Sequence, residues 1–243
     1  MNLITDIGNT RVKLAVFNER TLVHKVVLEK HLMTIDYLRD LDQEYPTDHC
    51  ILTHSGKPDD SVLHYLRNRG NFLLLDSDTA VPVSNAYQTP NTLGKDRLSA
   101  VVAARFLFPE TNCLVIDCGT CITCNFIDSS GTFQGGSISP GMQMRFRAMN
   151  EFTAKLPLVQ PLPGDDFIGK NTEESIRIGA QTAAVFEIDA FINAYSQRFG
   201  QITTLITGGD AHYFALHLKN KIFAEENLVL IGLNEILNYN RNA

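Results

Sequence analysis

Three apolar runs open the chain, near residues 2–6, 11–17 and 22–28, and three more follow in the same order near 113–117, 121–127 and 131–138. In the second run Val12, Leu14 and Val16 alternate onto one face, the period of a half-buried strand. Runs one and two are joined by Asp6-Ile7-Gly8-Asn9-Thr10, which reads as the polar tip of a β-hairpin. The second trio carries its counterpart in Asp117-Cys118-Gly119-Thr120. A repeat of so long a period predicts a duplication: two β-β-β units, each with an Asp-x-Gly tip, facing each other across a nucleotide. The expected domains are 1–110 and 111–243.

Between the trios the periodicity changes. Leu32, Ile35, Leu38 and Leu41 recur at helical spacing until Pro46, and Cys50–Thr53 reads as a short buried strand. Asp59 or Asp60 is placed to cap a helix carrying Val62, Leu63 and Leu66 and ended by Gly70, and Phe72–Leu75 reads as a further buried strand. Helices alternating with strands after a hairpin-linked trio predict a mixed sheet with its parallel pairs on one side. Pro90 and Gly94 mark a loop leading into a helix with Leu98, Val101, Val102 and Phe106 inward. In the second half, Gly135-Gly136 through Gly141 is expected to end a strand and start a helix with Met142, Phe146, Met149 and Phe152 on one face. Residues 157–164 are irregular, and Asn171 or Thr172 caps a long helix through Ile176, Ala180, Ala183, Ala184, Ile188 and Ile192. A strand from Ile202 to Ile206 delivers Gly208-Gly209-Asp210 to another helix, and Ile231, Leu233, Ile236 and Leu237 mark a final packing helix.

The tips carry the chemistry. Asp6 could hold a hydrated Mg²⁺, Gly8 lets backbone N–H groups approach a phosphate, and Asn9, Thr10 and Lys13 add donors and a positive charge. Asp96, at the start of its helix, fits either a dipole-favoured acid or a base for an alcohol nucleophile. Residues 164–172 nearly form a phosphate loop, but Asn171 follows Lys170 where Ser or Thr is needed and no strand precedes. The paired glycines 208 and 209 suit either a positive-φ turn or contact with a base, ribose or phosphate; the two tips favour nucleotide contact.

Composition narrows the field. With 21 basic and 27 acidic residues the net charge is −6, which gives no electrostatic reason to bind nucleic acid. No apolar run reaches membrane-spanning length, and no basic-then-apolar leader opens the chain, so a cytoplasmic protein is expected. Cys118, Cys121 and Cys124 stand at metal-like spacing, but residues three apart on a strand face opposite sides, so they are expected to be core residues.

These motifs together resemble the type III pantothenate kinases of the acetate kinase, sugar kinase, heat-shock and actin superfamily. The resemblance runs through Asp6–Thr10 with Lys13, Tyr87, Pro90, Gly94-Lys95-Asp96-Arg97, Asp117–Thr120, Gly135-Gly136, Pro140-Gly141, Gly169 with Thr172, and Thr207–Ala211. It implies an α/β fold of two duplicated actin-like (ribonuclease H-like) domains, each a mixed sheet with flanking helices, with the nucleotide cleft between them. It implies phosphorylation of pantothenate by ATP to 4'-phosphopantothenate, the first step of coenzyme A biosynthesis. On that resemblance Asp6, Ile7, Gly8, Asn9, Thr10, Arg11, Val12 and Lys13 form the ATP phosphate loop, and Thr120 is a further ATP contact. Asp96 is the base that deprotonates the pantothenate hydroxyl; Tyr87, Gly94, Lys95, Asp96, Arg97 and Thr172 contact that substrate. Asp117 holds a monovalent cation, K⁺ or NH₄⁺, and Mg²⁺ accompanies ATP with Asp6. Members are typically homodimers with the pantothenate pocket near the subunit interface. The chain departs from the family pattern in Cys118 and Cys121, where Ala is usual, and in Asn125, where an acid is common.

Two other functions are compatible with the fold alone: another small-molecule kinase or a phosphatase of the same superfamily, or a non-catalytic regulator like the Bvg accessory factors. The Tyr87 and Gly94–Arg97 group favours the pantothenate branch, and the acidic net charge disfavours contact with DNA.

Overall fold

A computed structural model describes residues 1–8, 11–55, 58–162 and 167–241. Asn9 and Thr10 of the first tip, and Gly164 to Asp166 of the irregular segment, lie outside the described residues. In chain order the strands and helices are β1 (Asn2–Ile7), β2 (Arg11–Asn18), β3 (Thr21–Glu29), α1 (Ile35–Glu44), β4 (His49–His54), α2 (Asp60–Arg67), β5 (Phe72–Leu74), β6 (Ser84–Asn85) and α3 (Lys95–Leu107). They continue with β7 (Cys113–Cys118), β8 (Cys121–Ile127), β9 (Thr132–Pro140), α4 (Met142–Glu151), α5 (Thr172–Arg177), α6 (Ala183–Phe199), β10 (Thr203–Thr207), α7 (Ala211–His217), β11 (Phe223–Ala224) and α8 (Leu228–Arg241). The chain forms two compact units: residues 1–109 with 131–133 and 227–243, and residues 110–130 with 134–226.

In the first unit the sheet order is β3-β2-β1-β4-β5. β1, β2 and β3 are antiparallel neighbours, while β4 and β5 add on in parallel, the mixed sheet that the helix–strand alternation predicts. β1 is central and buried along its whole length. Val12, Leu14 and Val16 point with Leu3 and Ile7 into a core closed by Leu38 and Leu41 of α1 and Val62 and Leu66 of α2. Each such side chain contributes about 1.5–3 kcal/mol by leaving water. Asp59, not Asp60, is the α2 cap, accepting from the N–H groups of Ser61 and Val62. Expectations fail at the margins of this core. Leu32 sits in a 3₁₀ turn before α1 and is exposed, β5 is a half-buried edge strand, and Phe106 turns outward beneath the Arg20 guanidinium, 4.6 Å from its ring centre.

α3 is nearly all buried from Arg97 to Ala104 because α8 packs along it. Gly232 lets the two helices approach closely, since a Cβ there would collide with the Ser99 carbonyl. α8 is also stitched to β1, with Asn2 donating to Asn234 at 2.8 Å and to Asn238 at 2.9 Å.

In the second unit β7 and β8 form the hairpin, β10 lies parallel to β7 and β11 parallel to β10. Leu114, Ile116, Cys118, Ile122, Cys124 and Phe126 face a core shared with Met142, Phe146, Ile188, Ile206 and Phe214. Here β9 runs through Gly135 and Gly136 to Pro140, within about two residues of the expected run. A Cβ on Gly136 would strike the Cys124 carbonyl, so this glycine serves close strand contact within β9. Phe152 falls just beyond α4 and is exposed. The long helix after Asn171 is broken by a π turn over residues 178–182, and Ala183 is exposed. Inside that turn the Gln181 amide exchanges two hydrogen bonds with the backbone of Leu162, at 3.1 and 3.2 Å.

Candidate active site

Both Asp-x-Gly tips grow from the same strand arrangement. Asp6, at the end of β1, is in register with Lys13 on the antiparallel neighbour and with Thr53 on the parallel one. Asp117, at the end of β7, is in register with Thr123 and Thr207 in the same two senses. The duplication thus extends to a buried threonine beside each aspartate. The tips themselves differ in length. Asp6 pairs with the residue seven later and Asp117 with the residue six later, so the first tip is one residue longer.

In the first unit Asp6 is buried, with Lys13 Nζ 4.0 Å from its Oδ2. Burial pushes its pKa up from 3.8 to about 6; the lysine works against that rise, and the Asp96 charge adds to it. A carboxylate so little compensated is a fitting donor for a hard cation, which prefers oxygen ligands. Gly8 closes the tip by donating to the Arg11 carbonyl at 2.9 Å. Ile7 and Val12 have core side chains, so they can serve a ligand only through backbone. Arg11 is exposed. A cavity of about 480 Å³ opens beside the roots of this tip, lined by Ile7 and Val12 together with Lys30, His31 and Met33.

The same unit holds Tyr87 and residues 94–97. Gly94 caps α3, and a Cβ there would lie 2.6 Å from Asp96 Oδ1, so glycine makes room for the carboxylate. Asp96 is exposed in the first turn and accepts from the Arg97 N–H at 2.8 Å. Lys95 is half-buried. Arg97 is buried, its guanidinium 5.6 Å from the Tyr87 ring centre and 6.0 Å from that of Phe133. The sequence offered no signal for Phe133 or for Thr53, because register and ring contact bring them in.

In the second unit Asp117 is half-buried and Thr120 exposed at the tip, where Gly119 donates to the Cys121 carbonyl at 3.0 Å. Gly208, at φ +100°, approaches so closely that a Cβ would stand 2.5 Å from Asp117 Oδ1. Asp210 donates its N–H to the Cys118 carbonyl at 2.9 Å, which fixes the β10–α7 turn against the tip. Gly141 likewise donates to the Thr120 carbonyl, at 3.1 Å. Asn125 is wholly buried and donates to Thr123 Oγ1 at 2.9 Å. Cys118 and Cys124 face the core, and burial with the nearby Asp117 charge pushes the Cys118 thiol well up. Cys121 is half-buried. Among the described residues no three His, Cys, Asp or Glu side chains cluster as a metal site. Thr172 is exposed at the start of α5, capped by Asn171, which accepts from Glu174 N–H at 2.9 Å.

Among solved structures, a Campylobacter jejuni protein provisionally described as a Baf family transcriptional activator aligns over 99% of this chain and 100% of its own, with TM-score 0.62 and 20% identity. The activator of 2-hydroxyisocaproyl-CoA dehydratase from Clostridium difficile, with bound ADPNP, aligns over 100% and 97% at TM-score 0.50 and 12% identity. An inorganic polyphosphate/ATP-glucomannokinase from Arthrobacter aligns over 99% and 100% at 0.50 and 13%. At these identities the likeness is one of fold, the actin-like fold of the sugar kinase superfamily. Sequence relatives are nearer. Type III pantothenate kinases of Phocaeicola vulgatus, Christiangramia forsetii and Porphyromonas gingivalis are 44%, 41% and 37% identical, each aligned over 98–99% of both chains. The type III pantothenate kinase family model matches residues 2–194. This chain belongs to the type III pantothenate kinase family.

Proposed function

We propose that the protein transfers the γ-phosphoryl group of ATP to the hydroxyl of pantothenate, with Asp96 as the general base. The observation that carries this is the convergence in the first unit of Asp6, Lys13 and Asp96. A buried carboxylate has its lysine at 4.0 Å, and a second, exposed carboxylate lies close enough to raise its pKa. Phosphoryl transfer needs positioning and charge compensation more than covalent chemistry. The first tip, residues 6–13, supplies backbone donors and the Lys13 charge to the phosphates. Asp96 accepts the hydroxyl proton as the substrate oxygen bonds to phosphorus and the bond to the departing ADP oxygen breaks. Tyr87, residues 94–97 and Thr172 hold pantothenate, and Thr120 contacts ATP.

Asp6 fits Mg²⁺ as an oxygen donor that its own surroundings leave costly to ionise, and Asp117 fits K⁺ or NH₄⁺ as a half-buried carboxylate with Thr123 and Thr207 in register. When bound, these cations would supply compensation for phosphate charge. The neutral Asn125, bonded to Thr123, replaces a charge that the family commonly carries beside this site. The two duplicated halves of sequence, 1–110 and 111–243, are proposed as the ancestral repeats.

A homodimer is the proposed assembly. The second unit has Ile138, Phe152, Phe167, Ile168 and Phe186 among its exposed apolar side chains, and a second copy would cover such groups. Sedimentation of the purified protein tests it.

The deciding experiment is ADP release measured with pantothenate, a sugar and acetate as acceptors, in potassium and in sodium at equal ionic strength. Pantothenate-dependent release that is faster in potassium is expected. Release with another acceptor alone would overturn the substrate, and indifference to the cation would overturn the role of Asp117.

A further inference from the structure

We propose that Phe133, at the start of β9, is a positioning residue for the pantothenate subsite. This rests on reading Tyr87 and Arg97 as contacts of that substrate. Phe133 is fully buried, and its ring lies 6.1 Å from that of Tyr87 with the planes only 12° apart. The Arg97 guanidinium stands over both rings, so one cation bears on two aromatic faces whose partial negative charge attracts it. The backbone ties the same residues together. β6 pairs parallel with Thr132 and Phe133, the Ala86 N–H donates to the Phe133 carbonyl at 3.0 Å, and Tyr87 N–H donates to Asn85 Oδ1 at 3.0 Å.

Two routes therefore lead from Phe133 to the site. Through β6 it fixes where Tyr87 leaves the strand. Through its ring it fixes the Arg97 guanidinium, which stands 6.0 Å from the Phe133 ring centre and 5.6 Å from that of Tyr87. A leucine at 133 fills space but presents no π face, so Arg97 and Tyr87 lose their common support while the apolar interior stays filled. The effect should fall on pantothenate and spare ATP.

Steady-state kinetics of Phe133→Leu, Arg97→Lys and the double variant test this, alongside thermal melts. Phe133→Leu should raise KM for pantothenate by about tenfold and leave KM for ATP within about twofold. The double variant should be hardly worse than the weaker single, since both break one contact. Unchanged KM values, or a parallel rise in both, would overturn the assignment and reduce Phe133 to a core residue. Should Phe133→Leu not fold, Tyr87→Leu combined with Arg97→Lys decides the matter with Phe133 intact. Non-additive effects on pantothenate KM are expected, and strict additivity counts against the proposal. An active wild type with a silent Phe133→Leu sinks this inference alone; a wild type inert toward pantothenate sinks the functional reading and this inference with it.

Discussion

Asp6 shows how a buried carboxylate works against the fold that carries it. Its pKa of about 6 lies above the 3.8 of an unburied aspartate because burial penalises the charge more than Lys13 relieves it. Between those two values the folded chain binds more protons than the unfolded one, so stability falls as pH rises through the window. Above pH 6 the ionised group lowers stability by roughly 3 kcal/mol. Asp6→Asn should therefore melt higher than the wild type at pH 7.5 in a chelating buffer, lose that advantage near pH 4, and have little turnover. Equal melting temperatures at pH 7.5 would contradict the burial argument. Asp96 is the opposite case, exposed at the head of α3 with its N–H partner next door. Asp96→Asn keeps the shape and removes the proposed base, so turnover should fall roughly 10²-fold or more with a smaller change in pantothenate binding. Near-normal turnover would leave Asp96 as a residue that merely starts a helix.

At the scale of elements, strands were more legible than helices. The six runs of the repeated trio appear within about two residues of their expected places, because alternation and an Asp-x-Gly tip both report directly on a hairpin. Helical faces were harder to read. Phe106 and Phe152 fit an apolar stripe, yet one lies beneath an arginine and the other is exposed just past the end of α4, and periodicity cannot see which face is covered. The π turn at 178–182 has no signal in hydrophobic spacing, although it aims Gln181 at Leu162. Of the candidate site, the acids and glycines were readable as a motif, while Thr53 and Phe133 arrive through register and stacking. The β10–α7 turn offers a sharp test. Gly208→Ala should lower stability by about 1–3 kcal/mol and blunt activation by potassium, since its Cβ would press on Asp117 in a backbone conformation that alanine avoids. Gly209→Ala, whose Cβ meets open space, should leave the melting temperature nearly unchanged. A thermal melt and a potassium titration of both variants check the contrast.

At the scale of the whole molecule, no helix among the described residues is long and apolar enough to cross a membrane. The compact units do not follow the order of the sequence, since α8 returns to the first unit and packs on α3, β1 and β4. Removing residues 227–243 strips the buried Leu228, Leu230, Leu233, Ile236 and Leu237 from the first unit and uncovers α3 at Ser99, against which Gly232 packs. Such a truncation should yield protein whose first unit is quickly cleaved by protease while fragments of the second unit persist, as limited proteolysis with mass analysis would read. Equal resistance of both units would show that α8 is dispensable. The same feature bears on birth at the ribosome. The first unit begins to emerge first, yet it is not complete until α8 has been made, whereas residues 110–226 have every strand of their own sheet before then. At about 5–20 residues per second the intervening segment takes several seconds to synthesise. For that time residues 87–97 and the first tip sit on an unfinished scaffold, so the second unit is the earlier one to mature, and Asp6 and Asp96, the aspartates proposed to serve the reaction, reach their final surroundings last.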